Sequence, residues 1–234
     1  QDANFGDIWV HNLRPTNGID HLFISVQTFN SKFDEIFSGL PENYYDYIVV
    51  DEAHHLAANS YRKILHKFKP KLLLGLTATP ERMDGVSLLP DFDGRISAEI
   101  RLPKALEEGL LTPFQYLCIS DDTDLTDDDL MQGNHYIADK LTEKLCNPER
   151  AGLIINRLRY YLPDENKCRA LCFCATKKHA KYMSEAFCHV GLRAEYLTSD
   201  NDIERHTLNK KLAKGEINYL FVVDIFNEGV DIPS

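Results

Sequence analysis

Several familiar signatures are missing from this 234-residue sequence. None of its 12 glycines is followed by lysine, so the phosphate-cradling pattern G-x-x-x-x-G-K-[ST] does not occur. No G-x-S-x-G elbow occurs either, which removes the support for an α/β-hydrolase reading built on a serine nucleophile. No apolar run approaches the ~20 residues needed to cross a bilayer, so no membrane partner is expected. A cationic and then apolar leader is also lacking. The six cysteines form no repeated C-x-x-C pair, which argues against a zinc site. Basic residues are outnumbered, 26 to 36, and the net charge of −10 argues against a whole-surface cationic footprint for nucleic acid while leaving room for a local one. The chain starts at Gln1, not Met, and stops at Asp231-Ile232-Pro233-Ser234 with no terminal cap or tail. It reads as a segment cut from a longer chain.

What is present is ordinary for a globular protein: 44% hydrophobic and 26% charged residues. Cys172 and Cys174 lie two apart in an apolar run and would share one side of a strand as reduced, buried thiols. Reduced thiols fit a cytoplasmic protein. Acid gathers at Asp121, Asp122, Asp124, Asp127, Asp128 and Asp129, and base at Arg62, Lys63, Lys67, Lys69 and Lys71 and again at Lys177, Lys178 and Lys181. Most such clusters are solvated faces.

Short, nearly continuous apolar runs recur at Leu22 to Val26, Tyr47 to Val50, Leu72 to Leu76, Ala170 to Phe173 and Tyr219 to Val223. Such runs predict strands buried on both faces. Amphipathic stripes fall between them: Tyr61, Ile64, Leu65 and Phe68; then Ala180, Met183 and Phe187, with Thr176 as N-cap and Gly191 past the end; then Leu208 and Leu212, closed by Gly215. Alternation of strand and helix predicts an α/β fold, a parallel sheet with helices on both faces. The regularity fails between about Pro90 and Pro148, apart from a short predicted helix from Pro103 to Gly109, and resumes at Ile154, Leu158 and Tyr161. That break marks a domain junction.

Three segments carry chemistry. Tyr47-Ile48-Val49-Val50-Asp51-Glu52-Ala53-His54 is a strand ending in adjacent carboxylates. Ligands of open α/β sheets sit at such carboxyl ends. Adjacent acids there suit Mg²⁺ bound to phosphate, one acid holding the metal and its neighbour taking a proton from attacking water. The plainer alternative is a strand followed by an acidic helix cap. Two adjacent histidines, His54 and His55, cannot share one helix face, which disfavours a histidine metal site. Leu72-Leu73-Leu74-Gly75-Leu76-Thr77-Ala78-Thr79-Pro80 is a second strand, ending in two hydroxyls; alone it reads equally as a Thr-rich turn. Leu220 to Pro233 leads a strand into Asn227-Glu228-Gly229-Val230-Asp231, where a glycine permits close backbone approach and an acid could bond a ribose hydroxyl.

In this order the segments resemble the superfamily 2 helicases of the DEAH type. Asp51-Glu52-Ala53-His54 matches motif II, Thr77-Ala78-Thr79 motif III, and Asn227 to Pro233 motif V. Ala170 to Ala180 looks like motif IV and its helix, and Ser25-Val26-Gln27-Thr28-Phe29 like the first lobe's nucleic-acid-contacting threonine segment. Thr79-Pro80-Glu81-Arg82-Met83-Asp84-Gly85 is similar to the branch holding type III restriction subunits, UvrB and the XPB-like helicases. The nearest resemblance is to bacterial helicases fused to a phospholipase-D-like nuclease domain.

The resemblance implies two RecA-like lobes: residues 1–112 as the later part of lobe one, 113–150 as the connection, and 151–234 as the earlier part of lobe two. It implies ATP and Mg²⁺ as cofactors and nucleic acid as partner, DNA rather than RNA. Asp51 would hold Mg²⁺ through water, and Glu52 would position and deprotonate the attacking water. His54 would link that site to Thr77 and Thr79. Gly229 and Asp231 would approach the nucleotide, and Thr28, Thr176 and Lys177 would contact strand phosphates. The phosphate loop and the family's motif VI arginines lack counterparts here, so residues 1–234 alone are expected to show no ATPase, and the first lobe to expose apolar surface. An RNA helicase and a non-catalytic interaction module that kept the fold remain the alternatives.

Overall fold

The computed structural model describes residues 5–10, 13–16, 18–79, 87–133, 135–200 and 205–223. The chain forms two compact units, Gln1–Phe114 and Gln115–Ser234.

In the first unit, β1 (Asp7–Trp9) pairs in parallel with β2 (Leu22–Ile24), and β3 (Tyr47–Val50) with β4 (Leu72–Gly75). The predicted strand through Val26 stops at Ile24, because Ser25 caps a helix there. Its Oγ accepts from the Thr28 backbone N–H at 3.2 Å, and α1 (Val26–Ser31) follows. Helix α2 (Asn59–Lys67) carries the predicted stripe, with Phe68 just past its end.

Two cores result. Trp9, Phe29, Phe37 and Phe68 form an aromatic one beside α1. Val50, Ala53, Leu56 and Leu88 form another, with Ile48, Tyr61, Leu65, Leu73 and Phe92 packed against it. The expectation of strands buried on both faces fails in this unit. Side chains alternate along a strand, and Ile48 and Val50 turn inward while Tyr47 (69% exposed) and Val49 (59%) turn out. Leu72 and Leu74 on β4, and Leu76 just past it, are exposed in the same alternation. Tyr47 pairs with Leu72 and Val49 with Leu74, so these side chains make one contiguous apolar face. Helix α3 (Leu102–Glu107) starts one residue before the predicted Pro103, which sits in its first turn, and ends two before Gly109, which follows at φ 67°.

In the second unit, β5 (Met131–Gln132) and β6 (His135–Tyr136) form a short antiparallel hairpin. Helices α4 (Ala138–Leu145) and α5 (Pro148–Tyr161) follow, the latter capped by Asn147. The irregular stretch of the sequence thus contains α4, whose stripe of Leu141 and Leu145 is only two turns long. Next come β7 (Ala170–Phe173), α6 (Lys177–His189), β8 (Ala194–Leu197), α7 (Arg205–Lys214) and β9 (Tyr219–Val222). The three strands are parallel in the order β7-β9-β8, with β9 central and wholly buried. Phe187 on α6 meets Tyr219 and Phe221 edge-on, centroids 5.0 and 4.9 Å apart.

The amino-terminal end of this sheet is tied by Asn218. Its Nδ2 donates to the carbonyls of Asn166 (2.9 Å) and Cys168 (2.8 Å), and its Oδ1 accepts from Arg193 Nε (2.9 Å). All six cysteines are free thiols, and burial pushes Cys172 and Cys174 up to about 12, which keeps them protonated and unreactive. Among the described residues no helix is long and apolar enough to cross a membrane.

Candidate active site

The main-chain ladder between β3 and β4 does not stop where the strands do. Leu76 N–H donates to the Val50 carbonyl at 2.9 Å, and Ala53 N–H donates back to the Leu76 carbonyl at 2.8 Å. Asp51 and Glu52 are held between these two bonds at the carboxyl end of the sheet. To make the turn, Glu52 adopts the left-handed conformation, φ 49° and ψ 50°. Non-glycine residues rarely sit there, and such strain concentrates at functional positions. Asp51 Oδ1 accepts from the Glu52 N–H at 3.0 Å, which orients one carboxylate across the turn.

The chain then forms a 3-10 turn, Ala53–Ala57, buried through Ala53 and Leu56. This turn aims His54 back toward β4. Its Nδ1 lies 3.1 Å from Thr77 Oγ1 and 3.3 Å from Glu52 Oε2, so one ring nitrogen faces a hydroxyl and a carboxylate. Thr77 Oγ1 also accepts from the Thr79 N–H at 3.1 Å. Asp51, Glu52, His54, Thr77 and Thr79 therefore form a single connected cluster. The His55 ring lies tilted against that of His54, centroids 4.1 Å apart, and no group of three or more metal-ligating side chains exists among the described residues. Two adjacent carboxylates, with no third metal-ligating side chain grouped with them among the described residues, fit a hard cation that keeps waters and phosphate oxygens in its shell, as Mg²⁺ does.

The other candidate residues lie elsewhere. Thr28 sits in the first turn of α1, where its Oγ1 accepts from Ser25 Oγ–H at 2.9 Å. Thr176 caps α6, accepting from the His179 N–H at 3.2 Å, and its hydroxyl lies 2.7 Å from that of Thr142. Thr142 in turn donates to the Ala138 carbonyl at 2.6 Å, so the Thr176 hydroxyl donates to Thr142. Lys177 pairs with Asp200 at 2.5 Å. Gly229 and Asp231 lie outside the described residues.

Sequence reasoning missed three participants. Ser25 was named only within the Thr28 segment and its cap of α1 was read over as part of a strand. Thr142 and Phe92 carry no local signal, because each acts on a segment far away in the chain. One further residue of α6 is unusual. His179 is 7% exposed, its Nδ1 accepts from the Ala175 N–H at 3.4 Å, and its Nε2 has no hydrogen-bond partner among the described residues. Burial, helped by the Arg150 guanidinium, holds its imidazole down at about 4 and therefore neutral.

Residues 2–82 match the family model described as type III restriction enzyme, res subunit, and residues 154–234 match the helicase conserved C-terminal domain. IRC3 of Saccharomyces cerevisiae, named as an ATP-dependent helicase, is 28% identical over 223 residues, covering 92% of this chain and 31% of IRC3. The type I restriction enzyme EcoAI endonuclease subunit of Escherichia coli is 26% identical, covering 78% of this chain and 24% of that protein. The chain thus spans about a third or less of the length of these relatives. Among solved structures, a Saccharomyces cerevisiae Dbp5 variant bound to RNA and ADP-BeF3 superposes with a TM-score of 0.50 at 14% identity, covering 99% of this chain and 54% of that one. The type III restriction enzyme model and the helicase C-terminal model together match most of the chain, which has the RecA-like α/β fold and is similar to the superfamily 2 helicases.

Proposed function

We propose that this chain is part of an ATP-driven DNA helicase or translocase, in which Asp51 and Glu52 serve the hydrolytic step. The observation that carries the reading is the cluster around His54, where the carboxylate of Glu52 and the hydroxyl of Thr77 converge on one ring nitrogen. Asp51 would hold Mg²⁺ through water, and the ion would supply charge neutralisation on the phosphate oxygens. Glu52 would orient the attacking water and accept its proton. Its carboxylate already leans on His54, so a change in Glu52 is felt at Thr77, at the start of motif III. Gly229 and Asp231 would approach the nucleotide from the second lobe, and Thr28 and Lys177 would track a strand through phosphate contacts. Such contacts carry no sequence information and suit a motor that moves along any sequence. The hydroxyl hydrogen of Thr176 is spent inside the fold, and Lys177 would have to exchange its Asp200 partner for a phosphate.

DNA is favoured over RNA because restriction-enzyme subunits recur among the matches. The experiment is ATPase activity of the full-length protein with and without single-stranded DNA and RNA, alongside Glu52→Gln. DNA-stimulated turnover that Glu52→Gln abolishes supports the reading. Stimulation by RNA alone selects the RNA helicase, and activity that survives Glu52→Gln removes the assigned chemistry.

A further inference from the structure

The strand partner of the hydrolytic turn has a gap in it, and the gap is filled from outside the motifs. Gly75 is the last residue of β4 and pairs in register with Val50, the residue before Asp51. A Cβ placed on Gly75 would overlap Cζ of Phe92 and lie 2.9 Å from its Cε1 and 3.0 Å from the Cβ of Ala53. The tip of the Phe92 ring thus sits against bare backbone, at the point where the ladder passes from strand pairing to the Asp51-Glu52 turn. The next bonds along that ladder, through Leu76, are the pair that brackets Glu52.

Phe92 is itself anchored. It ends the 3-10 turn Leu89–Phe92, which Gly94 N–H closes by donating to the Leu89 carbonyl at 2.8 Å. The neighbouring Asp91 is paired with Arg62 on α2, and Leu88 is buried in the core that contains Val50 and Ala53. The segment that departs from β4 through Thr77 therefore returns to β4 at Phe92. Simple space-filling needs any apolar group of the right size. Contact at a glycine, next to a residue in the left-handed region whose carboxylate must be aimed, makes the spacing between Phe92 and β4 a determinant of where Glu52 points.

We infer that Phe92 is a positioning residue for Glu52, acting through Gly75 on the backbone that carries the carboxylate. This rests on the hydrolytic reading of Asp51 and Glu52 given above. The test uses the full-length protein with Gly75→Ala, Phe92→Leu, the double variant, and Glu52→Gln as reference. A displacement of about an ångström can cost up to ~100-fold in rate, so Gly75→Ala should lower kcat by ~10- to 100-fold with KM for ATP changed less than about twofold. Phe92→Leu removes the overlapping ring atoms, so the double variant should regain most of that loss. A role in packing alone predicts shifts in melting temperature with kcat at 25 °C unmoved, and that result overturns the inference. So does a double variant no faster than Gly75→Ala. Should Gly75→Ala fail to fold, Phe92→Leu alone decides: kcat reduced ~3-fold or more at unchanged KM supports the inference, and unchanged kcat overturns it. If Glu52→Gln retains ATPase, the underlying reading fails first, and the two failures are told apart by that control.

Discussion

His54 Nδ1 stands 3.1 Å from Thr77 Oγ1, a contact between residues 23 positions apart that the parallel register of β3 and β4 makes unavoidable. The register puts Val50 opposite Gly75, and each strand then needs only a short step to bring its polar residue to the same end of the sheet. Removing the hydroxyl while keeping the shape should show what the contact does. Thr77→Val is expected to cut DNA-stimulated ATPase of the full-length protein by ~10-fold, and Thr77→Ser to retain most of it, read from kcat at saturating ATP.

Glu52 should display a trade between stability and activity. In the left-handed region a side chain costs of order 1 kcal/mol that glycine does not incur. Glu52→Gly should therefore leave the full-length protein as stable as the parent or more stable by ~1 kcal/mol in urea unfolding, with hydrolysis lost. A clear loss of stability would mean that the carboxylate's contact with His54 outweighs the backbone strain.

His179 predicts an acid limb in the stability profile. Its imidazole is held at about 4 in the fold against 6.5 for an unperturbed side chain, so the unfolded chain binds a proton that the folded chain refuses. Stability is fully present above pH 6.5 and falls as the pH drops toward about 4, by about 3 kcal/mol in all. His179→Leu should flatten that window, measured by chemical unfolding between about pH 4 and 7. Asp121 and Asp164, which backbone N–H groups hold below the ordinary carboxylate value of 3.8, lose their contributions at lower pH and do not obscure it.

Asn218, in the second unit, is the opposite case, a residue with no part in the assigned chemistry whose loss is structural. Asn218→Leu removes a buried amide that bonds the Asn166 and Cys168 carbonyls and Arg193 Nε, and should cost ~1–3 kcal/mol. Turnover per folded molecule should remain that of the parent, as circular dichroism and ATPase on the same samples would show.

Residues 1–234 by themselves should show no ATPase and should self-associate through the β3–β4 face, by light scattering. Val49→Lys together with Leu74→Lys should restore a monomer.

The sequence made legible those parts of the structure whose cause is local. Strand runs at Tyr47–Val50, Ala170–Phe173 and Tyr219–Val222, the Thr176 cap and the Gly109 stop follow from period, cap and φ preference. The carboxylates of Asp51 and Glu52 were legible for the same reason, as polar residues at the end of an apolar run. Burial was not, because period-two alternation in an all-apolar run such as Leu72-Leu73-Leu74 leaves no mark of which face is covered. Helix α4 escaped notice because two turns give too short a stripe. Phe92 escaped it because its importance lies in the absence of a side chain at Gly75.

The alternation along β3 has one more consequence. Inserting one residue within Tyr47–Val50 would exchange the two faces, sending Ile48 outward and Val49 inward. The same slip would rotate the backbone entering Asp51 by half a turn and detach Glu52 from Leu76 and His54. Core packing and carboxylate aim are thus encoded in one count of residues, so length in this strand is under tighter constraint than the identity of any single side chain in it.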